Sequence, residues 1–247
     1  MNHRLTAILS HLPPTESDRI AAAWQASCPD SDILLVFGGS PDSFNALDSS
    51  PKVFVSDPRL RTRDHQRERQ SYQGVFSAIS AFLAPFPHYQ FIHFTEFDCV
   101  PLHHNLPLWL ADRLESENAD VLGCRLSRID GTNHPHFLYH AADPAFHSLI
   151  HQTSSRSNPS VVLSMLGCMS FWKRNAFDAV ANVPNASPFY LELIIPTLAH
   201  HLGFRVRNLP DQSPFVKPSG SFKNLPLLQQ AGAVMAHPVK TFPTHTP

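Results

Sequence analysis

Glu96-Phe97-Asp98 puts two carboxylates two positions apart, so in an extended chain both point to the same side. Carboxylate oxygens are hard ligands, suited to Mg²⁺ or Mn²⁺ bridging a diphosphate, and a departing nucleotide diphosphate develops negative charge that such an ion neutralises. An acid-x-acid triplet alone is weak, because such triplets arise by chance. Its weight here comes from position. Phe91-Ile92-His93-Phe94 reads as a buried strand running straight into the acids, and in an open α/β sheet ligands bind in the crevice beyond the carboxyl ends of the strands.

Other groups invite chemistry. Arg59, Arg61, Arg63, Arg67 and Arg69 form a basic run, and a guanidinium offers phosphate a planar fork of donors. Asp57, Asp64 and Glu68 are interleaved, so a solvated, ion-paired loop is the competing reading. His134-x-His136 followed by His140 suggests a zinc hydrolase, but the further ligands are missing and there is no His-Glu-x-x-His helix. Neither a dinucleotide fingerprint nor a Gly-x-x-x-x-Gly-Lys loop occurs, and only 9 glycines are available to build one. Gly38-Gly39-Ser40 reads as a turn. Kinase, GTPase and dehydrogenase readings are therefore poor.

The elements that must carry these residues follow from the apolar runs. Thr6–Leu9 reads as a strand, with Pro13-Pro14 as a break and Thr15 or Ser17 capping a helix over Asp18–Ser27. Ile33–Phe37 and Val53–Val55 read as strands, and Val75, Phe76, Ile79, Phe82 and Leu83 recur at helical spacing over Gln70–Leu83. After the Phe91–Phe94 strand come a helix over Leu106–Glu117 and a strand at Val121–Cys124. Ser127–Pro159 shows little periodicity and reads as a long functional loop. Patterning resumes with strands at Val161–Leu163 and Ser170–Trp172, helices over Asn175–Ala181 and Pro188–His201, and a strand at Phe204–Val206. The proline-rich remainder after Leu209 reads as a surface wrap. This alternation predicts an α/β fold, an open, mostly parallel, doubly wound sheet with helices on both faces.

The 247 residues fit one domain over 1–247, with 1–120 as a nucleotide-binding half and 121–247 as an acceptor-binding half and carboxyl-terminal wrap. A formal net charge of -1 gives no electrostatic reason for nucleic-acid binding. Cys28, Cys99, Cys124 and Cys168 have no Cys-x-x-Cys spacing and read as buried free thiols. No stretch approaches the roughly 18 apolar residues of a membrane span. Met1–Leu12 carries no cleavable signal pattern, so a cytoplasmic location is expected, with peripheral membrane contact left open.

With the acids at a strand end after three βα-like units, the chain resembles the GT-A glycosyltransferases, whose Asp-x-Asp motif holds a metal and the sugar-nucleotide diphosphate. The likeness is one of layout, from Leu5 to Lys240, resting on few motifs. It implies that Asp98, the final acid, is the direct ligand and Glu96 its partner, with Glu96 departing from the usual Asp. It further implies that His237 in His237-Pro238-Val239-Lys240 completes the metal site and that Lys240 touches a phosphate. Glu192 would be the base toward an acceptor hydroxyl in an inverting enzyme, the competing role being a first-turn glutamate that complements the helix dipole. Asp57, Arg61 and Arg63 would contact the nucleotide sugar; His134, His136 or Tyr139 would contact acceptor hydroxyls, the competing and favoured reading being a plain surface loop. The implied activity is sugar transfer from a nucleotide-diphosphate donor, with Mn²⁺ or Mg²⁺, to a carbohydrate or glycolipid acceptor. Two rivals stand beside it. One is a nucleotidyltransferase on a similar sheet, which His11-Leu12-Pro13-Pro14 disfavours because that loop is neither Gly-rich nor basic. The other is a non-catalytic nucleotide- or carbohydrate-binding domain.

Overall fold

The structure, a computed structural model, describes residues 3–62, 64, 67–68, 70–186, 189–209 and 225–239. The strands are β1 (Arg4–Ser10), β2 (Asp32–Phe37), β3 (Lys52–Phe54), β4 (Phe91–Glu96), β5 (Val100–Pro101), β6 (Val121–Arg128), β7 (Leu163–Lys173), β8 (Val206–Asn208) and β9 (Met235–Ala236). Among the described residues seven of them form one sheet in the order β3-β2-β1-β4-β7-β6-β8. Its pairs are parallel except β7 against β4 and β6. β5 and β9 form a separate antiparallel ribbon. The sheet is thus the open, mostly parallel one expected, in a single domain.

Side-chain alternation splits the core in two. On one face Ile8, Leu122 and Phe171 pack with Ile20 and Trp24 of the Pro14–Ser27 helix and with Leu106, Leu110 and Leu114 of the Leu106–Ser116 helix. On the other, Ala7, Leu9, Ile92 and Phe94 meet the Tyr72–Leu83, Arg174–Ala181 and Leu191–His201 helices. Phe76 is the hub of that layer, 4.7 Å from the Phe177 ring and 5.0 Å from Phe94. Truncating such a buried ring to alanine costs about 3–5 kcal/mol.

Several boundaries differ from the sequence reading. The first helix starts at Pro14, whose missing N–H costs nothing in the first turn, and no side chain caps it. Ser17 is instead buried and bonded to Ser10 Oγ at 2.8 Å. The residues read as separate strands at Val161–Leu163 and Ser170–Trp172 are joined, from Leu163 onward, in one long β7. The stretch read as a loop, Ser127–Pro159, carries helices at Pro135–His140 and Pro144–Thr153. Asp143 caps the second, and its short apolar stripe of Phe146, Leu149 and Ile150 is diluted by surrounding polar residues. The chain beyond Leu209 is not all surface wrap. Leu225, Val234, Met235, Ala236 and Val239 are buried in the layer that holds Ile8, Trp24 and Leu106.

Candidate metal centre and adjoining cleft

Along β4 the apolar residues Ile92 and Phe94 face the Tyr72–Leu83 helix, and the period of two puts Glu96 on that same face. There Tyr72 Oη donates to Glu96 Oε1 at 2.6 Å, fixing the carboxylate at the strand's last residue. Phe97 N–H extends the ladder to Leu9 O at 2.9 Å, after which Cys99 N–H closes a turn on Glu96 O at 3.0 Å. Asp98 sits within that turn. Both acids are 5% exposed and stand at the carboxyl end of β4, beside that of β1.

His237 reaches them through the small ribbon. Val100 pairs with Ala236 and Pro101 with Met235, which brings the residues after β9 back over the turn. Val239 N–H then donates to Asp98 O at 2.8 Å, and His237 Nε2 lies 3.4 Å from Asp98 Oδ1. One ligand atom each from Glu96, Asp98 and His237 lies within 4.8 Å of the others. Burial pushes the His237 imidazole down, but neighbouring Cys99, Asp98 and Glu96 more than reverse this and raise it to about 9. The pocket therefore favours positive charge. Two carboxylates and an imidazole are a donor set that suits Mn²⁺ or Mg²⁺.

Glu192 begins the Leu191–His201 helix and lies at the same end of the sheet. The pairing of β4 with β7 ends at Thr95 and Met169, and Cys168 and Gly167 follow on β7 just past it. Gly167 N–H donates to Glu192 Oε1 at 3.4 Å, and His136 Nδ1 is 3.3 Å from Glu192 Oε2. A side chain at 167 would run into the helix, since a Cβ there would lie 2.3 Å from Leu191 Cδ2 and 3.1 Å from Glu192 Cγ. Glu192, His136, His134, Arg125 and Ser164 line a cavity of about 150 Å³. Arg125 occupies the left-handed region, with φ 57°, where β6 shifts register against β7. Such bulges re-aim side chains.

The other expected contacts are placed differently. Asp57 caps a single 3-10 turn by accepting from Arg59 N–H at 2.9 Å, and it pairs with the Arg59 guanidinium at 2.7 Å. Burial alone would raise its carboxyl, but the bonds to Arg59 hold it below the usual range. Arg61 Nη1 donates to Gly39 O at 2.6 Å, tying this segment to the turn after β2. Arg63 and Lys240 lie outside the described residues. Tyr139 is exposed beside Tyr190, at 6.1 Å.

Sequence reasoning missed Tyr72, Cys99 and Cys168. Tyr72 read only as the start of a helix, although a tyrosine in the first turn of a helix packed on the motif strand was an available signal. Cys99 directly follows the acids, but nothing local places Cys168 opposite it.

No protein-family model matches the chain, and no curated protein matches it in sequence. Among solved structures it is similar to core-mannan synthase A from Aspergillus fumigatus in a Mn/GDP form, with 11% identity over 85% of this chain and 73% of that one, at a TM-score of 0.42. It is similar to a mannosyltransferase from Pyrobaculum calidifontis in complex with GDP-Man and Mn²⁺, with 11% identity over 85% of this chain, a TM-score of 0.48, and 55% of that longer chain spanned. It is also similar to mouse xyloside xylosyltransferase 1, with 11% identity over 95% of this chain and 96% of that one, at a TM-score of 0.44. Likenesses this distant carry no assignment of substrate or residue role.

Proposed function

We propose that this chain is a metal-dependent glycosyltransferase that moves a sugar from a nucleotide-diphosphate donor to a carbohydrate or glycolipid acceptor. The observation that carries the reading is the convergence of Glu96, Asp98 and His237, from two distant parts of the chain, in the crevice at the carboxyl end of β4. In open α/β sheets that crevice is where nucleotides bind.

In this reading Asp98, Glu96 and His237 hold Mn²⁺ or Mg²⁺, which when bound neutralises the charge on the departing diphosphate. Tyr72 holds Glu96 in its ligating position. Glu192, one strand away, takes the proton from the acceptor hydroxyl if the configuration is inverted, and His136 orients its carboxylate. Asp57, Arg61, Arg63 and Lys240 are assigned to the nucleotide sugar, with Asp57 acting through Arg59. No described helix is long and apolar enough to cross a membrane.

The test is a panel of nucleotide sugars incubated with the protein and Mn²⁺, with released nucleoside diphosphate measured by chromatography. Metal-dependent release by the wild type, lost in Asp98→Ala, supports the reading. Absence of both release and nucleotide binding across the panel would overturn it.

A further inference from the structure

Behind the hard donors lies a second, soft set. Cys99 follows Asp98 in the turn, and Cys168 approaches it from β7, one residue past the Thr95–Met169 pair. Cys99 Sγ lies 3.5 Å from Cys168 O, which brings the turn against the strand. Both thiols are buried, and one ligand atom each from Cys99, Cys168 and His237 lies within 4.8 Å of the others. His237 therefore belongs to two potential ligand sets, one of oxygen and one of sulfur.

We infer that Cys99, Cys168 and His237 form a binding site for a thiophilic divalent cation such as Zn²⁺ or Cd²⁺, which competes with the carboxylate set for His237. Thiolate–zinc bonds are about 2.3 Å and imidazole–zinc bonds about 2.0–2.1 Å, so tetrahedral ligation places donor atoms roughly 3.5–3.8 Å apart. The three side chains need to close by roughly 1 Å, well within rotamer adjustment at a turn and a loop. Three protein ligands leave a fourth position open toward the crevice, where water or a phosphate oxygen fits. Each thiol gives its proton to solvent as it binds, and the ion's two charges offset the two thiolates. Soft ions prefer sulfur, whereas Mg²⁺ and Mn²⁺ prefer the carboxylates, so the identity of the ion decides which set His237 joins. A cell that raises free zinc would thereby withdraw His237 from Asp98.

The inference uses the same His237 as the proposed transferase site, but cadmium binding tests it without any sugar chemistry. Reduced full-length protein is titrated with Cd²⁺ alone while the ultraviolet charge-transfer absorption of cadmium thiolate is followed. The expected result is a rise that saturates at one equivalent. It falls to about half in Cys99→Ser or Cys168→Ser, disappears in the double variant, and persists in Asp98→Asn. Thermal melting of each variant establishes that it is folded. If a single serine variant does not fold, the other one and His237→Ala, which is expected to weaken Cd²⁺ at least tenfold, carry the test. No absorption in the wild type, or the same absorption in the double variant through Cys28 or Cys124, overturns the inference. If cadmium binds through these thiols while Mn²⁺ and nucleotides do nothing, the transferase reading fails and this site stands.

Discussion

His93 and His237 are both buried, yet their surroundings drive them in opposite directions. His93 sits in the middle of β4, 5.5 Å from the Trp24 ring and 6.1 Å from Phe171, and burial alone pushes it down to about 3. Neither ring nitrogen of His93 has a hydrogen-bond partner among the described residues. His237, beside Cys99, Asp98 and Glu96 at the end of that strand, is raised to about 9 despite its burial. Burial alone thus makes a histidine a neutral core residue. Burial beside a thiol and two carboxylates favours its protonated form. In the proposed reading the middle of β4 serves packing and its carboxyl end holds the cation, and substitutions at the two places should separate accordingly.

The largest effect is expected at Glu192. For an inverting transfer, Glu192→Gln keeps the Gly167 contact but cannot accept a proton, so the rate should fall by about 10²–10⁴-fold while nucleotide affinity holds. Initial rates set beside calorimetric nucleotide binding would check this. Equal losses in both would make Glu192 a helix-terminal residue only. Tyr72→Phe comes next. It deletes the 2.6 Å bond to Glu96 and leaves the ring packing, so metal affinity should drop about 10–100-fold. Metal titration with and without nucleotide measures this.

Gly167→Ala sits between the two kinds of change. The added methyl meets Leu191 in a packed layer, which should cost about 1–3 kcal/mol of stability and displace Glu192 as well. Denaturant unfolding and transfer assays should show both losses. The smallest effect is expected at His93. His93→Leu removes a buried polar ring that makes no bond, so stability at neutral pH should be unchanged or raised by about 1 kcal/mol, with transfer unaffected.

That variant also changes the acid limb. The unfolded chain protonates this histidine near 6.5, whereas the folded one stays neutral down to about 3. Between those values the unfolded state binds more protons, so wild-type stability falls as pH falls. Burial shifts the ring, with Trp24 facing it from the first helix and Phe171 from β7. His93→Leu should flatten that slope, as read from melting temperatures across pH 6.5 to 4.

The sheet was legible because its central strands are continuous apolar runs, and Glu96 and Asp98 were legible because they end one. His237 entered by resemblance rather than spacing, since a two-residue ribbon such as Val100–Pro101 with Met235–Ala236 leaves almost no pattern. Its place beside Asp98 depends on that long-range pairing. The same holds for Tyr72 and Cys168, whose partners lie on other strands and helices. A glycine inside a strand, such as Gly167, normally marks a bulge or a close approach. Here it is a close approach, of the helix that carries Glu192. The helix at Pro144–Thr153 was hidden because its apolar stripe is short and its other residues resemble a loop.

The account rests on a cation held by Asp98, Glu96 and His237, and Mn²⁺ binding followed by the loss of the free-ion electron paramagnetic resonance signal tests it most directly. With a saturating nucleoside diphosphate, the wild type should bind one Mn²⁺ per chain. Asp98→Asn, with its apo melting temperature unchanged, should bind it about 100-fold more weakly. Equal affinity in the two proteins would contradict the account.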